Sequence, residues 1–186
     1  EDTVDACGED LFPGRPDLMP PSRSAEVPLV GACEPAELLA ELAGSPGTEN
    51  VSDEHLDRLV HRYGRLLPEL LLHLDDEPDL AQEVPGGAGT LAVEVVHAAT
   101  HEGALHVEDV LTRRTRLYLE AGDRGLVAAR VVAHLMGDAL GWDEQRRTEE
   151  VSRYQRRVAA ELDAQAAPDD AAAAAIRERV SDPRIG

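Results

Sequence analysis

Leucine, valine and alanine recur along this chain at intervals of three and four residues, the spacing of one face of an α-helix, and turn-closed segments of strict alternation are absent. EPAELLAELAG (34–44) predicts a short helix with Pro35 in its first turn and Gly44 just past its end, where proline's fixed φ and glycine's left-handed freedom each fit. After the loop SPGTEN, Ser52 is placed to cap a helix that carries Asp53 and Glu54 at its positive end. Leu56, Leu59, Val60 and Tyr63 fall on one face of it, and Gly64 breaks or kinks it. Leu66, Leu67, Leu70, Leu71 and Leu74 make a second stripe closed by DDEPD. Beyond the loop VPGGAG, TLAVEVVHAAT reads as a helix, although its valines leave a strand open.

From Asp123 onward, RGLVAARVVAHLMGDAL places Val127, Val131 and Leu135, together with Val132, Met136 and Leu140, on a broad apolar face. Asp143 then caps DEQRRTEEVSRYQRRVAAEL, in which Val151, Tyr154, Val158 and Leu162 step by three and four. The flanks differ in kind. Residues 1–28 open with a helix-like EDTVDAC and continue into Pro13, Pro16, Pro20, Pro21 and Pro28, which deny the backbone both helix and central strand, so this is an arm or linker. Residues 164–186 mix a possible Ala helix with acidic, Pro-bearing ends and are expected to be loosely ordered. The predicted fold is all-α: a compact domain of about five to six helices over residues 29–163, between the arm and the tail. Aromatics at 3% agree, because such a core must be filled by Leu, Val and Ala.

Charge narrows the function classes. The balance of 18 basic against 37 acidic residues gives a formal charge of −19, a field that repels nucleic-acid phosphates and anionic lipid, so no nucleic-acid partner is expected. Cys7 and Cys33 have neither C-x-x-C spacing nor a framework of partners, which predicts a cytosolic, reduced protein. No window approaches a membrane helix, and the start EDTVDACGED has neither a signal peptide's basic and apolar regions nor an initiator Met, so the chain reads as a piece of something longer.

Three motifs bear on chemistry. GGAGTLA (86–92) contains G-x-G-x-x-A with Asp109 further on, but it follows the acidic, Pro-ended DEPDLAQEVP rather than a buried strand, and the dinucleotide reading fails on that context. EVVHAATHE places Glu94, His97 and His101 on one helical face, and Glu-x-x-His is half of a carboxylate-bridged di-iron unit. The other half is missing and H-E-x-x-H does not occur, so two partly exposed histidines and no metal are expected. There is also no G-x-S-x-G. What remains is HEGALHVEDVLTRRTRL (101–117), where Arg113, Arg114 and Arg116 are flanked by Val107, Val110, Leu111, Leu117 and Leu119. Arginine suits bidentate pairing with carboxylate or phosphate, and near a core an unpaired one would be costly.

AVEVVHAATHEGALHVEDVLTRRTRLYLE, the DRG start, LGWD and the helix bearing Tyr154 resemble the C-terminal helical domain of bacterial aerobic FAD-dependent glycerol-3-phosphate dehydrogenases. EVPLVGA resembles that domain's entry, HRYG its Arg-Tyr-Gly helix end, and EDTVDAC the last helix of the flavin domain, so the likeness runs over residues 1–163. The E-G-A-L-H-x-x-D-V-L-x-R-R-T core carries it; position 97, His here, departs from the family's usual Tyr. The resemblance implies a parent enzyme that oxidises sn-glycerol 3-phosphate to dihydroxyacetone phosphate, holds FAD and passes electrons to quinone. It also implies a cytoplasmic location, peripheral to the inner face of the cytoplasmic membrane, and it leaves a homodimer open. FAD and the catalytic groups would lie N-terminal to position 1, so no catalytic or cofactor-binding residue is expected in this chain. Glu102, His106, Asp109, Arg113, Arg114, Thr115 and Arg116 are expected to form a polar seam against the flavin domain. Two competing readings are a free-standing acidic helical module that recruits a basic partner and a helical metal protein, the latter predicting stoichiometric iron or zinc.

Overall fold

The structure, a computed structural model, describes residues 11, 13–15, 18 and 25–180. The helix expected over residues 1–7, Cys7 and much of the proline-rich arm lie outside the described residues. Among those described there are eight α-helices and no strand, so the all-α expectation holds with more helices than the five to six expected.

The first layer follows the leucine stripes. Helix α1 (Pro35–Leu42) buries Leu38 and Leu42. Helix α2 (Asp53–Tyr63) starts where the Ser52 hydroxyl accepts the His55 N–H at 3.3 Å, and it turns Leu59, Val60 and Tyr63 inward. Gly64 ends it at φ +52°. A side chain there would run into the Gly31 carbonyl, which instead accepts the Arg65 N–H at 3.0 Å and pins the chain before α1 to this elbow. Helix α3 (Leu67–Asp76) buries Leu67, Leu70, Leu71 and Leu74.

Helix α4 (Ala92–Thr100) separates two cores. Leu91, Ala92 and Val93 join the leucines of α1 to α3, whereas Val95, Ala98 and Ala99 join a second core. A helix apolar on all sides is a buried one, which is why its valines also read as a strand. The second core gathers Val107, Val110, Leu111 and Leu117 around Val132, Ala133 and Met136 of α6 (Ala129–Leu140) and Tyr154 and Val158 of α7 (Glu144–Gln165). Asp143 caps α7 by accepting the Arg146 N–H at 2.7 Å. Between α4 and α6 lie a π-helix (Asp109–Arg114) and the single-turn α5 (Leu117–Glu120).

Three expectations are corrected. The helix expected from Asp123 begins only at Ala129: the Asp123 carboxylate accepts the N–H groups of Gly125 (3.0 Å) and Val127 (2.7 Å), and Arg124 and Gly125 both take positive φ, so residues before α6 form turns and Val127 is exposed. Helix α7 runs past Asp163 to Gln165, with Leu162 half exposed on it. The tail expected to be loosely ordered contains α8 (Asp170–Glu178), capped by Asp169. It packs on α7 through the small buried residues Ala160, Ala164 and Ala173 and an Arg177–Glu161 ion pair at 3.1 Å.

Candidate functional site

The stretch 101–117 folds as a closed polar turn anchored in the second core. Asp109 Oδ2 accepts the N–H groups of Leu105 and His106, both at 3.1 Å, so the carboxylate fixes the loop that leads into its own helix. Thr115 is fully buried, and its N–H and hydroxyl both donate to the Val110 carbonyl at 2.8 Å. That five-residue reach is the wide π turn.

The arginines are satisfied largely within the chain. Arg113 pairs with Asp109 at 3.0 Å and with the buried Glu108 at 3.2 Å. Arg114 donates to the Glu102 carbonyl at 2.8 and 3.2 Å and has the Glu102 carboxylate 3.7 Å away, while its own carbonyl accepts from Arg62. Arg116 differs: it is exposed, sits at φ +61° and makes no ion pair among the described residues. Of the seven predicted residues, six are therefore held by partners of this chain's own.

Two acids organise the surroundings: Glu150, which sequence reasoning missed, and Glu94, which it singled out as a possible metal ligand rather than as a partner of arginines. Glu150, 1% exposed, accepts from the Val107 N–H at 3.1 Å and faces Arg146 (2.9 Å), Arg153 (3.0 Å) and His106 (3.0 Å). Its signal was legible, since it lies four residues before Tyr154 on the same apolar stripe. Glu94, fully buried, accepts the Leu91 N–H at 2.9 Å, meets Arg58 and Arg62, and lies 3.4 Å from the Tyr63 hydroxyl. Burial, and after it the Glu94 charge, pushes the Tyr63 hydroxyl far above the usual tyrosine pKa, so it stays a donor. Burial likewise raises Tyr154.

The glycine loop before α4 and the start of α4 do not fit a dinucleotide. A Cβ on Gly87 would meet the Val84 carbonyl and one on Gly86 would meet Val127, so these glycines close a turn against the protein rather than open backbone to a pyrophosphate. Glu94 already takes the Leu91 N–H at the start of α4, where a phosphate would have to sit. A cleft of about 880 Å³ beside α1 and α2 carries Glu49, Asp53 and Asp75 and no cation, which suits neither a phosphate ester nor a dinucleotide.

The histidines depart from expectation. His97 is buried, not partly exposed, and a third histidine, His73, joins it and His101. Burial, then the neighbouring His101 and His73, lowers His97 to about 4, so its ring is neutral at physiological pH.

Residues 22–147 match the family described as the C-terminal domain of alpha-glycerophosphate oxidase. Glycerol-3-phosphate dehydrogenase of Mycobacterium leprae is 35% identical over 169 residues, 91% of this chain and 29% of that protein. Glycerol-3-phosphate dehydrogenase 2 of Mycobacterium tuberculosis is 34% identical over 183 residues, 98% of this chain and 31% of its own length. Glycerol-3-phosphate dehydrogenase 1 of the same organism is 34% identical over 108 residues, 58% of this chain and 19% of its own length. The chain thus spans less than a third of the length of these curated relatives. No solved structure matches it.

Proposed function

Because the chain belongs to the family of C-terminal domains of alpha-glycerophosphate oxidase, we propose that it is the helical cap of an FAD-dependent glycerol-3-phosphate dehydrogenase. The parent oxidises sn-glycerol 3-phosphate to dihydroxyacetone phosphate. Two electrons pass to FAD in a separate flavin domain and then to quinone, at the inner face of the cytoplasmic membrane. The observation that carries this reading is the alignment of nearly the whole chain with less than a third of a dehydrogenase. It is supported by the occupied start of α4 and the closed Gly86–Gly87 turn, which leave no room for a pyrophosphate at the one segment with a dinucleotide-like pattern.

The cap's task in this reading is to dock on the flavin domain. Glu102, His106, Asp109, Arg114 and Thr115 hold the 101–117 turn in shape, and Arg116, with the open side of Arg113, presents cationic donors to an acidic patch on the other domain. A free-standing acidic module is not favoured, since it accounts for the charge and not for the alignment.

The test is to purify the 186-residue chain and assay bound flavin and glycerol-3-phosphate-dependent dye reduction. Expected are a colourless protein, no dye reduction, and binding to the separately produced flavin domain of its parent. Stoichiometric FAD on the chain, or no association with the flavin domain, overturns the assignment.

A further inference from the structure

Three histidines from two helices meet where nothing in the proposed docking needs them. His73 lies in the last turn of α3, His97 in the last turn of α4, and His101 caps the C-terminal end of α4. One ring nitrogen from each lies within 4.8 Å of those of the other two. His97 and His101, four residues apart, stack at 4.7 Å, and His73 stands edge-on to both at 5.9 and 5.2 Å. The His97 ring is also held edge-to-face by Tyr63 at 5.7 Å.

From this geometry we infer that His73, His97 and His101 form a binding site for a zinc(II)-like divalent cation, which ties the end of α3 to the end of α4. Two observations beyond proximity point to a ligand. Nδ1 of His97, a residue 2% exposed, and Nε2 of His73 are buried and have no hydrogen-bond partner, although buried polar atoms are nearly always satisfied. The third histidine has its tautomer set. The Thr100 hydroxyl spends its one proton on the Val96 carbonyl at 2.8 Å, so its contact with His101 Nδ1 at 2.7 Å must be accepted from the ring. That leaves the lone pair of His101 on Nε2, the arrangement by which a second residue orients a metal-ligating imidazole.

The surroundings favour a cation. Two helix C-termini, the negative ends of their dipoles, converge here. The charges of Glu69, Asp76 and Glu77 act on the cluster. Three neutral imidazoles without a thiolate select a borderline ion such as zinc, with the fourth tetrahedral position left to water. Zinc–nitrogen bonds of about 2.0–2.1 Å bring ligand nitrogens closer than the separation here, and His73 and His101 are exposed enough to swing in. Glu94 is not a ligand, because Arg58 and Arg62 hold its carboxylate. The di-iron pattern considered from sequence is therefore replaced by a different set, which needed His73 from another helix.

The test is zinc titration of the metal-stripped 186-residue chain against a chromophoric chelator, with cobalt(II) as a spectroscopic probe. Expected are one tightly bound zinc, a melting temperature that rises with zinc, and the intense visible bands of tetrahedral cobalt. His73→Asn and His101→Asn, both at partly open positions, should each abolish binding. Thr100→Val should weaken it roughly 10- to 100-fold and leave the metal-free melting temperature unchanged. Absence of binding at millimolar zinc, or binding and cobalt spectra undiminished in His73→Asn and His101→Asn, overturns the site. Either result is independent of flavin-domain docking, so failure here leaves the dehydrogenase reading standing.

Discussion

Glu150 and Arg113 belong to similar ion pairs in different surroundings, and the difference sets what each contributes. Glu150 is enclosed, with two arginines, a histidine and a backbone N–H converging on one carboxylate. Glu150→Gln keeps the shape and removes the charge that balances Arg146 and Arg153. It should cost roughly 3–5 kcal/mol, as breaking a buried pair does. Arg113 is about a third exposed but its partner Glu108 is buried, so Arg113→Ala should cost less than Glu150→Gln, roughly 1–3 kcal/mol for a buried acceptor that loses its partner. Urea midpoints at constant slope give both values. An Arg113→Ala loss as large as that of Glu150→Gln would mean that the pair inside the turn supports the fold as much as the Glu150 contacts do. The arginines were legible in the sequence because of their density. Their partners were legible only in part: Asp109 lies four residues before Arg113, whereas Arg114 bonds to a carbonyl, which every residue has, and the bond from the Val107 N–H to Glu150 spans 43 residues.

Helix ends were the most legible elements, because capping is local chemistry. Ser52 and Asp143 accept from the residue three positions on, as their types and positions predicted. Asp143→Ala should therefore cost about 1 kcal/mol in chemical denaturation, within a range of about 0.5–2 for lost caps, and a loss under a few tenths would mean that water replaces the carboxylate at no cost. The elements misread were those in which a local device overrode the period. Asp123 and the left-handed Arg124–Gly125 pair stop α6 from starting early, although Val127, Val131 and Leu135 keep helical spacing through the turn. In the tail the possible Ala helix is present, and what composition did not show is that it packs. Ala160, Ala164 and Ala173 are small enough for α7 and α8 to approach closely, and that contact is tertiary. Truncation after Ala167 should therefore leave one cooperative transition, with α7 fraying at its exposed Ala160 and Ala164 end. Loss of the transition would make α8 part of the core.

For the whole molecule, the proposed docking on a flavin domain leaves open which surface it would use, and an exposed arginine without an ion pair among the described residues narrows it. A non-glycine residue at φ near +60° carries a penalty of about 1–2 kcal/mol and persists where surrounding structure or function demands it. Arg116 sits at φ +61°, exposed, without an ion pair among the described residues, in a chain whose formal charge is −19. Arg124, the other left-handed arginine, has its side chain held by Tyr118 and Gln165 of its own chain. The left-handed turn at Arg116 ends the π-helix and lets its carbonyl accept the Leu119 and Glu120 N–H groups, while its side chain has no ion-pair partner among the described residues. Arg116→Gly separates the two roles. Relief of backbone strain should leave the chain alone as stable as before, or up to about 1 kcal/mol more stable, because glycine takes this conformation without penalty. In the assembled dehydrogenase the same change should weaken attachment of the cap, lowering glycerol-3-phosphate oxidation and the melting temperature of the whole enzyme together. Arg114→Ala should behave otherwise, lowering stability equally in the chain alone and in the enzyme, since Glu102 in this chain is its acceptor. The measurement is a set of four melting curves, two variants in each context, with activity for the assembled enzyme. An Arg116→Gly enzyme as active and as stable as the parent would remove the 101–117 turn from the docking surface, and its polarity would then serve only the interior of the helical domain.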